Sequence, residues 1–197
     1  MASEPVVSNG APGAVSEAET ARLGIVLFVV AEIMFFGALV GMYIVLRLGS
    51  RTWKPEGFPE FSLGLPLSNT GVLVLSGIFI ILASRAIRRE DPVGLVSWLC
   101  LTLFCGVLFA AVQYFEFVRL LGEELPVQNI FGTVFYSMAG LHTLHVVGGV
   151  LLLSYVIVQA VRGKYHQYRR VGIDLVLYYW LLVVVVWVFF FVILYLL

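Results

Sequence analysis

Five long apolar blocks separated by short polar connections make up nearly all of the chain after residue 22. They run over 23–48, 67–86, 93–121, 130–161 and 173–197. Each is long enough to cross a hydrocarbon core of about 30 Å at a helical rise of ~1.5 Å per residue. Backbone in lipid must satisfy its own hydrogen bonds, so blocks of this length predict transmembrane helices. The expected fold class is an all-α membrane protein, a five-helix transmembrane bundle occupying 23–197 behind a flexible tail at 1–22. The connections carry the turn chemistry. Arg47 to Pro66 holds three prolines, Arg85 to Pro92 is a tight charged turn, Gly122 to Asn129 contains Glu123, Glu124 and Pro126, and Arg162 to Gly172 precedes the last block. Ser68-Asn69-Thr70 is expected to cap the second helix, and Asp174 suits the positive end of the fifth helix dipole.

Composition sharpens this picture. A 197-residue chain that is 61% hydrophobic leaves no room for a soluble domain, and its mean hydropathy of +1.01 belongs to a polytopic membrane protein. The formal net charge is zero, so nothing attracts nucleic acid. The basic residues are unevenly placed. Eight (Arg22, Arg85, Arg88, Arg89, Arg162, Lys164, Arg169 and Arg170) fall on the side of the tail, and four (Arg47, Arg51, Lys54 and Arg119) on the other. The positive-inside bias puts the N-terminus in the cytoplasm and the C-terminus outside. The tail lacks the basic and short apolar regions of a signal peptide, so the first helix is expected to serve as the insertion signal. Cys100 and Cys105, five apart on one helix, fall on different faces and read as small buried residues. Trp53, Trp98, Tyr165 and Tyr195, near helix ends, suit interfacial anchoring.

Candidate chemistry lies where polar groups interrupt the apolar blocks. Glu32 sits about ten residues into the first, near the membrane midplane by the ~1.5 Å rise per residue, where a carboxyl is expected neutral or paired. Either a functional site or a packing hydrogen bond explains it. In the fourth helix His142 and His145 are three apart, on one face and at a similar depth. Two imidazoles offer part of a metal site, but bis-histidine haem ligation across a bundle needs different helices, and the third histidine, His166, is in a loop. The pair is therefore expected to hydrogen-bond neighbouring helices, with Gly140, Gly148 and Gly149 permitting close approach. In the third helix Gln113 and Glu116 lie within a turn of one another. Glu116 either ends in solvent, pairing with Arg119, or faces the bundle.

Taken together these segments resemble subunit III of the haem-copper respiratory oxidases, in the five-helix bacterial form shared by cytochrome c oxidases and quinol oxidases. Ala31-Glu32-Ile33-Met34-Phe35-Phe36 is similar to the family's first-helix carboxyl motif, and Leu67-Ser68-Asn69-Thr70 to its second-helix entry, where Asn69 is a packing contact. Gln113-Tyr114-Phe115-Glu116-Phe117 resembles the third-helix segment, and Gly140 to Gly149 the histidine signature. Tyr179-Trp180-Leu181-Leu182-Val183-Val184 resembles the last-helix motif, but Leu181 stands where the family usually has histidine and Val184 where it has aspartate. A polar pair lost together is expected if the two groups partnered each other, since one alone would be left unsatisfied.

The resemblance implies a subunit with no redox centre and no catalytic residue of its own, bound to subunit I, which holds haem and copper, and near subunit II. It implies phospholipid in an interhelical cleft, support of proton uptake, an apolar path for oxygen, and a bacterial cytoplasmic membrane location. Accessory chains of nitric oxide reductases are similar too. A small proton-coupled transporter would use buried carboxyl and histidine groups as a relay, but the repeat symmetry of common transporter folds is not evident. A structural assembly factor would need only the packing surfaces.

Overall fold

The computed structural model describes residues 17–51, 53, 63–123, 129–163, 165 and 171–196. Five helices follow in order: α1 (Glu17–Gly49), α2 (Gly64–Arg88), α3 (Pro92–Glu123), α4 (Ile130–Val161) and α5 (Val171–Phe191), the last continuing into a π-helical turn, Val192–Leu196. Each is long and apolar enough to cross a membrane. The first sixteen residues and His166 lie outside the described residues.

Local chemistry sets the helix ends. The α2–α3 turn is a Schellman closure. Asp91 N–H donates to the Ala86 carbonyl at 3.1 Å and Glu90 N–H to that of Ile87 at 3.3 Å, with Glu90 at φ 56° in the left-handed position usually given to glycine. Asp91 then caps α3, its Oδ1 accepting from Gly94 N–H at 2.9 Å, and Pro92 takes the first helical position, where a missing N–H costs nothing. Asn129 caps α4 through Phe131 N–H at 3.3 Å. After α4 the chain turns at Gly163, whose φ of 67° favours glycine.

Two boundaries differ from the sequence pattern. α1 starts at Glu17, inside the segment expected to be tail, because Glu, Ala and Arg propagate a helix beyond the apolar block. α2 starts at Gly64, so Ser68-Asn69-Thr70 lie inside it and do not cap it. Pro66 occupies its first turn, where helical N–H groups have no partner to lose. The hydroxyls turn back on their own helix instead: Ser68 Oγ donates to the Gly64 carbonyl and Thr70 Oγ1 to that of Pro66, both at 2.8 Å.

The most extensive contact joins α2 to α3, followed by α3 to α4. α5 packs on both α2 and α4, and α1 lies against α5 with a smaller contact to α4. Apolar burial gives little drive to helix association in lipid, so close packing must supply it. The indole of Trp180 fills a slot between Gly106 of α3 and Gly149 of α4, where an added Cβ would approach the ring to 2.5 and 2.7 Å respectively. Trp180 Nε1 donates to Ser76 Oγ at 2.9 Å and Trp187 Nε1 to Thr70 Oγ1 at 3.0 Å, tying α5 to α2. Of the two cysteines, Cys105 is buried but Cys100 is exposed, since a five-residue step rotates it out of the seam.

Candidate functional site

Buried positions on α1 at 25, 36 and 43 are joined by half-buried ones at 29, 32, 39 and 47, in steps of four and three. That spacing is a narrow seam of about 3.5 residues per turn, the pattern of a helix lying along its neighbours. Glu32 occupies one seam position, between Val29 and Phe36. α4 carries a comparable seam through Phe135, Met138, His142, Val146, Gly149 and Leu153. His142 lies on it and is wholly buried, while His145, three residues on, is half-buried at its edge facing α1.

Glu32 Oε2 and His145 Nε2 are 3.1 Å apart, with both side chains mostly enclosed. The contact is off the line of an ideal hydrogen bond. His145 Nδ1 lies 2.8 Å from the Leu141 carbonyl, which only accepts, so Nδ1 carries a proton. Nε2 then either donates, giving imidazolium and carboxylate, or accepts from a neutral carboxyl. The backbone carbonyl of His145 in turn accepts from the Tyr179 hydroxyl at 2.7 Å, so α1, α4 and α5 meet at this depth.

His142 does another task. Its Nε2 donates to the Val183 carbonyl of α5 at 3.0 Å, and its ring is enclosed by Trp187, Phe109, Phe190 and Phe36, with centroids 4.9, 5.9, 6.2 and 6.4 Å away. It fastens α4 to α5 and stands apart from Glu32. His145 meets polar partners at both ring nitrogens, whereas His142 is bonded at Nε2 alone, its Nδ1 being buried without a hydrogen-bond partner. Among the described residues no group of three or more histidine, cysteine, aspartate or glutamate side chains could hold a metal ion.

Gln113 and Glu116 lie on the α3 seam with Leu95, Leu99, Thr102, Phe109 and Leu120 and are buried, so Glu116 faces the bundle and does not end in solvent. Arg119 stays exposed and acts on Glu116 through its charge. Asn69 Nδ2 donates across to the Phe109 carbonyl at 3.3 Å, a packing contact between α2 and α3. Tyr195, expected at the interface, is buried against Gln113 and Glu116 because the π-turn rotates it inward. Trp53 also packs inward, edge-on to Tyr43 and Phe131, and Trp98 stacks on Phe79. Tyr43 was not singled out from sequence. Its hydroxyl donates to the Ile193 carbonyl in the π-turn at 3.0 Å and accepts from Arg47 at 2.6 Å. Its place on the α1 seam, three seam steps after Glu32 by way of Phe36 and Leu39, is the signal that could have found it.

Leu181 and Val184 both face Gly77 of α2. A Cβ there would lie 3.5 Å from the Val184 methyls and 3.8 Å from Leu181. A separate cleft of about 560 Å³ opens where the end of α2 and the start of α3 meet the end of α4, lined by Ile87, Glu90, Asp91, Leu95, Ala160 and Tyr165. Burial, and then the nearby Tyr155 hydroxyl, push the Tyr165 phenol up from its ordinary value.

The family model for cytochrome c oxidase subunit III matches residues 8–197. The chain is 35% identical over 175 residues to cytochrome c oxidase subunit 3 of Synechocystis sp., covering 88% of this chain and 74% of that one. It is 36% identical over 176 residues to the subunit 3 of Thermostichus vulcanus, covering 89% and 86%, and 32% identical over 160 residues to a probable subunit 3 of Nocardia farcinica, covering 80% and 78%. Because the family match takes in all five helices and with them the meeting of Glu32 and His145, the chain belongs to the cytochrome c oxidase subunit III family.

Proposed function

We propose that the chain is the accessory, non-redox subunit III of a proton-pumping terminal oxidase, cytochrome c oxidase in the first instance, in a bacterial cytoplasmic membrane with its N-terminus inside. It packs on subunit I, with subunit II in the same complex, and binds phospholipid between α1 and the body of the bundle. Haem and copper reside in the partners. The observation that carries this reading is the Glu32–His145 contact, a polar tie at mid-membrane between α1 and a bundle it otherwise touches along one narrow seam. Such a tie sets the angle of α1 and with it the width of an apolar, lipid-filled cleft, through which oxygen, itself apolar, also has a path. The name of the family supports membership of an oxidase; lipid, proton uptake and oxygen access are the proposal.

The test begins with the tagged chain purified from its host in mild detergent. A reduced-minus-oxidised spectrum with haem bands and a large multi-helix partner in near-equal amount supports the reading. A colourless chain that also crosslinks to no oxidase subunit in intact membranes overturns it. Glu32→Gln then separates two roles. If hydrogen bonding is enough, the variant keeps subunit content and turnover. The closeness of the Glu32 carboxyl to the His145 imidazole favours a second role, proton exchange in support of uptake, under which Glu32→Gln keeps subunit content but changes turnover or its decay.

A further inference from the structure

A second buried polar group lies away from Glu32 and His145, in the half of the bundle where α2 begins and α3 and α5 end. Gln113 and Glu116, one turn apart on α3, are 0% and 1% exposed, and Asn69 of α2 is 3% exposed. The Asn69 amide reaches the Phe109 carbonyl, one turn before Gln113, so it stands at the head of the same stripe. From the π-turn, the Tyr195 hydroxyl is directed at both Gln113 and Glu116.

The hydrogen-bonding capacities do not balance within the chain. Gln113 presents a carbonyl oxygen and an NH₂ group, Glu116 two oxygens, and Asn69 a further Oδ1, none closed by a well-formed hydrogen bond from the protein. One phenol donates one proton and accepts at one oxygen, so Tyr195 leaves most of these atoms unserved even when it serves both neighbours. Buried polar atoms in native structures are satisfied by protein or by ordered water. We propose that Asn69, Gln113, Glu116 and Tyr195 form a binding site for internal water, with at least one molecule bridging Gln113 and Glu116. A cation could meet the oxygens, but it cannot accept from the Gln113 NH₂ group, and the Arg119 charge acts on the same carboxyl. Water both donates and accepts and is held by roughly two to four such partners. The bridge joins the closing turn of α5 to α3 through Tyr195, so the site also anchors the end of the bundle.

A density map of the native assembly, at a resolution that shows waters elsewhere in the complex, tests this. The expected result is a peak within hydrogen-bonding distance of both the Gln113 amide and the Glu116 carboxyl. Ordered side chains with no peak between them, or a peak bonded to oxygens alone at metal–oxygen distances, overturn the proposal. Gln113→Leu removes the donors and the acceptor together. It should abolish the peak and shift the infrared band of the Glu116 carboxyl, assigned through its loss in Glu116→Gln; an unmoved band overturns the bridge. If Gln113→Leu does not accumulate, the wild-type map decides alone.

Discussion

Val184 and Leu181 stand one helical turn apart against Gly77 of α2, both enclosed enough that a polar atom in either place meets mostly hydrocarbon. Val184 is only 8% exposed, so Val184→Asp alone places a carboxyl there without a donor. The cost of such an unsatisfied group is about 1–3 kcal/mol, and more if it is charged. Leu181→His alone introduces a milder defect at a half-buried position. The double variant allows an i, i+3 hydrogen bond between the two. It should therefore recover part of the stability lost in Val184→Asp, visible as a positive coupling in a double-mutant cycle of thermal denaturation in detergent. Strict additivity would show that the two positions never worked as partners. At this scale the sequence was readable where a polar residue broke an apolar run, which marked Glu32, His142, His145, Gln113 and Glu116. It could not say that His145 meets Glu32 while His142 meets Val183. The two imidazoles share a face to within a fraction of a turn, and the position of α1 and α5 around α4 decides between them.

Seams organise the elements. α1, α3 and α4 each bury a stripe with steps of three and four, and on α4 the stripe is completed by glycines that admit aromatic rings from α5. Hydropathy alone gave the number of helices and nearly all their limits, because lipid demands long uninterrupted apolar blocks. It was blind to the start of α2, since Pro66 looks like a loop residue until its place in a first turn is known. It was equally blind to which glycine matters. A Cβ at Gly149 would come to 2.7 Å from Trp180 and 2.9 Å from Tyr179, at Gly148 to 3.3 Å from the Tyr179 hydroxyl, and at Gly140 only to 4.0 Å from Phe117. Overfilling a well-packed interior costs about 1–3 kcal/mol. Gly149→Ala should therefore lower the midpoint of thermal unfolding clearly, Gly148→Ala slightly, and Gly140→Ala hardly at all. An equal loss for all three would mean that helix propensity and not the aromatic slot sets the outcome.

The whole molecule is unevenly bound together. α2 through α5 share broad contacts and indole hydrogen bonds, whereas α1 meets the rest along one seam, fixed at mid-depth by Glu32 to His145 and at one end by Tyr43 to the Ile193 carbonyl. The Ile193 carbonyl lies in the π-turn, where the regular α-helical ladder has given way, so an outside hydroxyl takes up a group the helix itself serves poorly. The arrangement predicts that α1 opens as a unit at lower free energy than the other helices, because local opening follows the contacts a segment must break. In hydrogen exchange of the chain in detergent or nanodiscs, the amides of α1 should exchange before those of α2 and α3. Tyr43→Phe deletes the tie to Ile193 without changing the packing of the ring. It should raise exchange in the last turns of α1 and in 192–196 while leaving the Glu32 region and α2 as they were. Removing bound lipid should act in the same direction as the variant if lipid fills the cleft that α1 borders, and should leave α1 unchanged if it does not. Protection of α1 equal to that of α3 in every condition would mean that the seam by itself holds the helix, and the role assigned to the Glu32–His145 tie would fall with it.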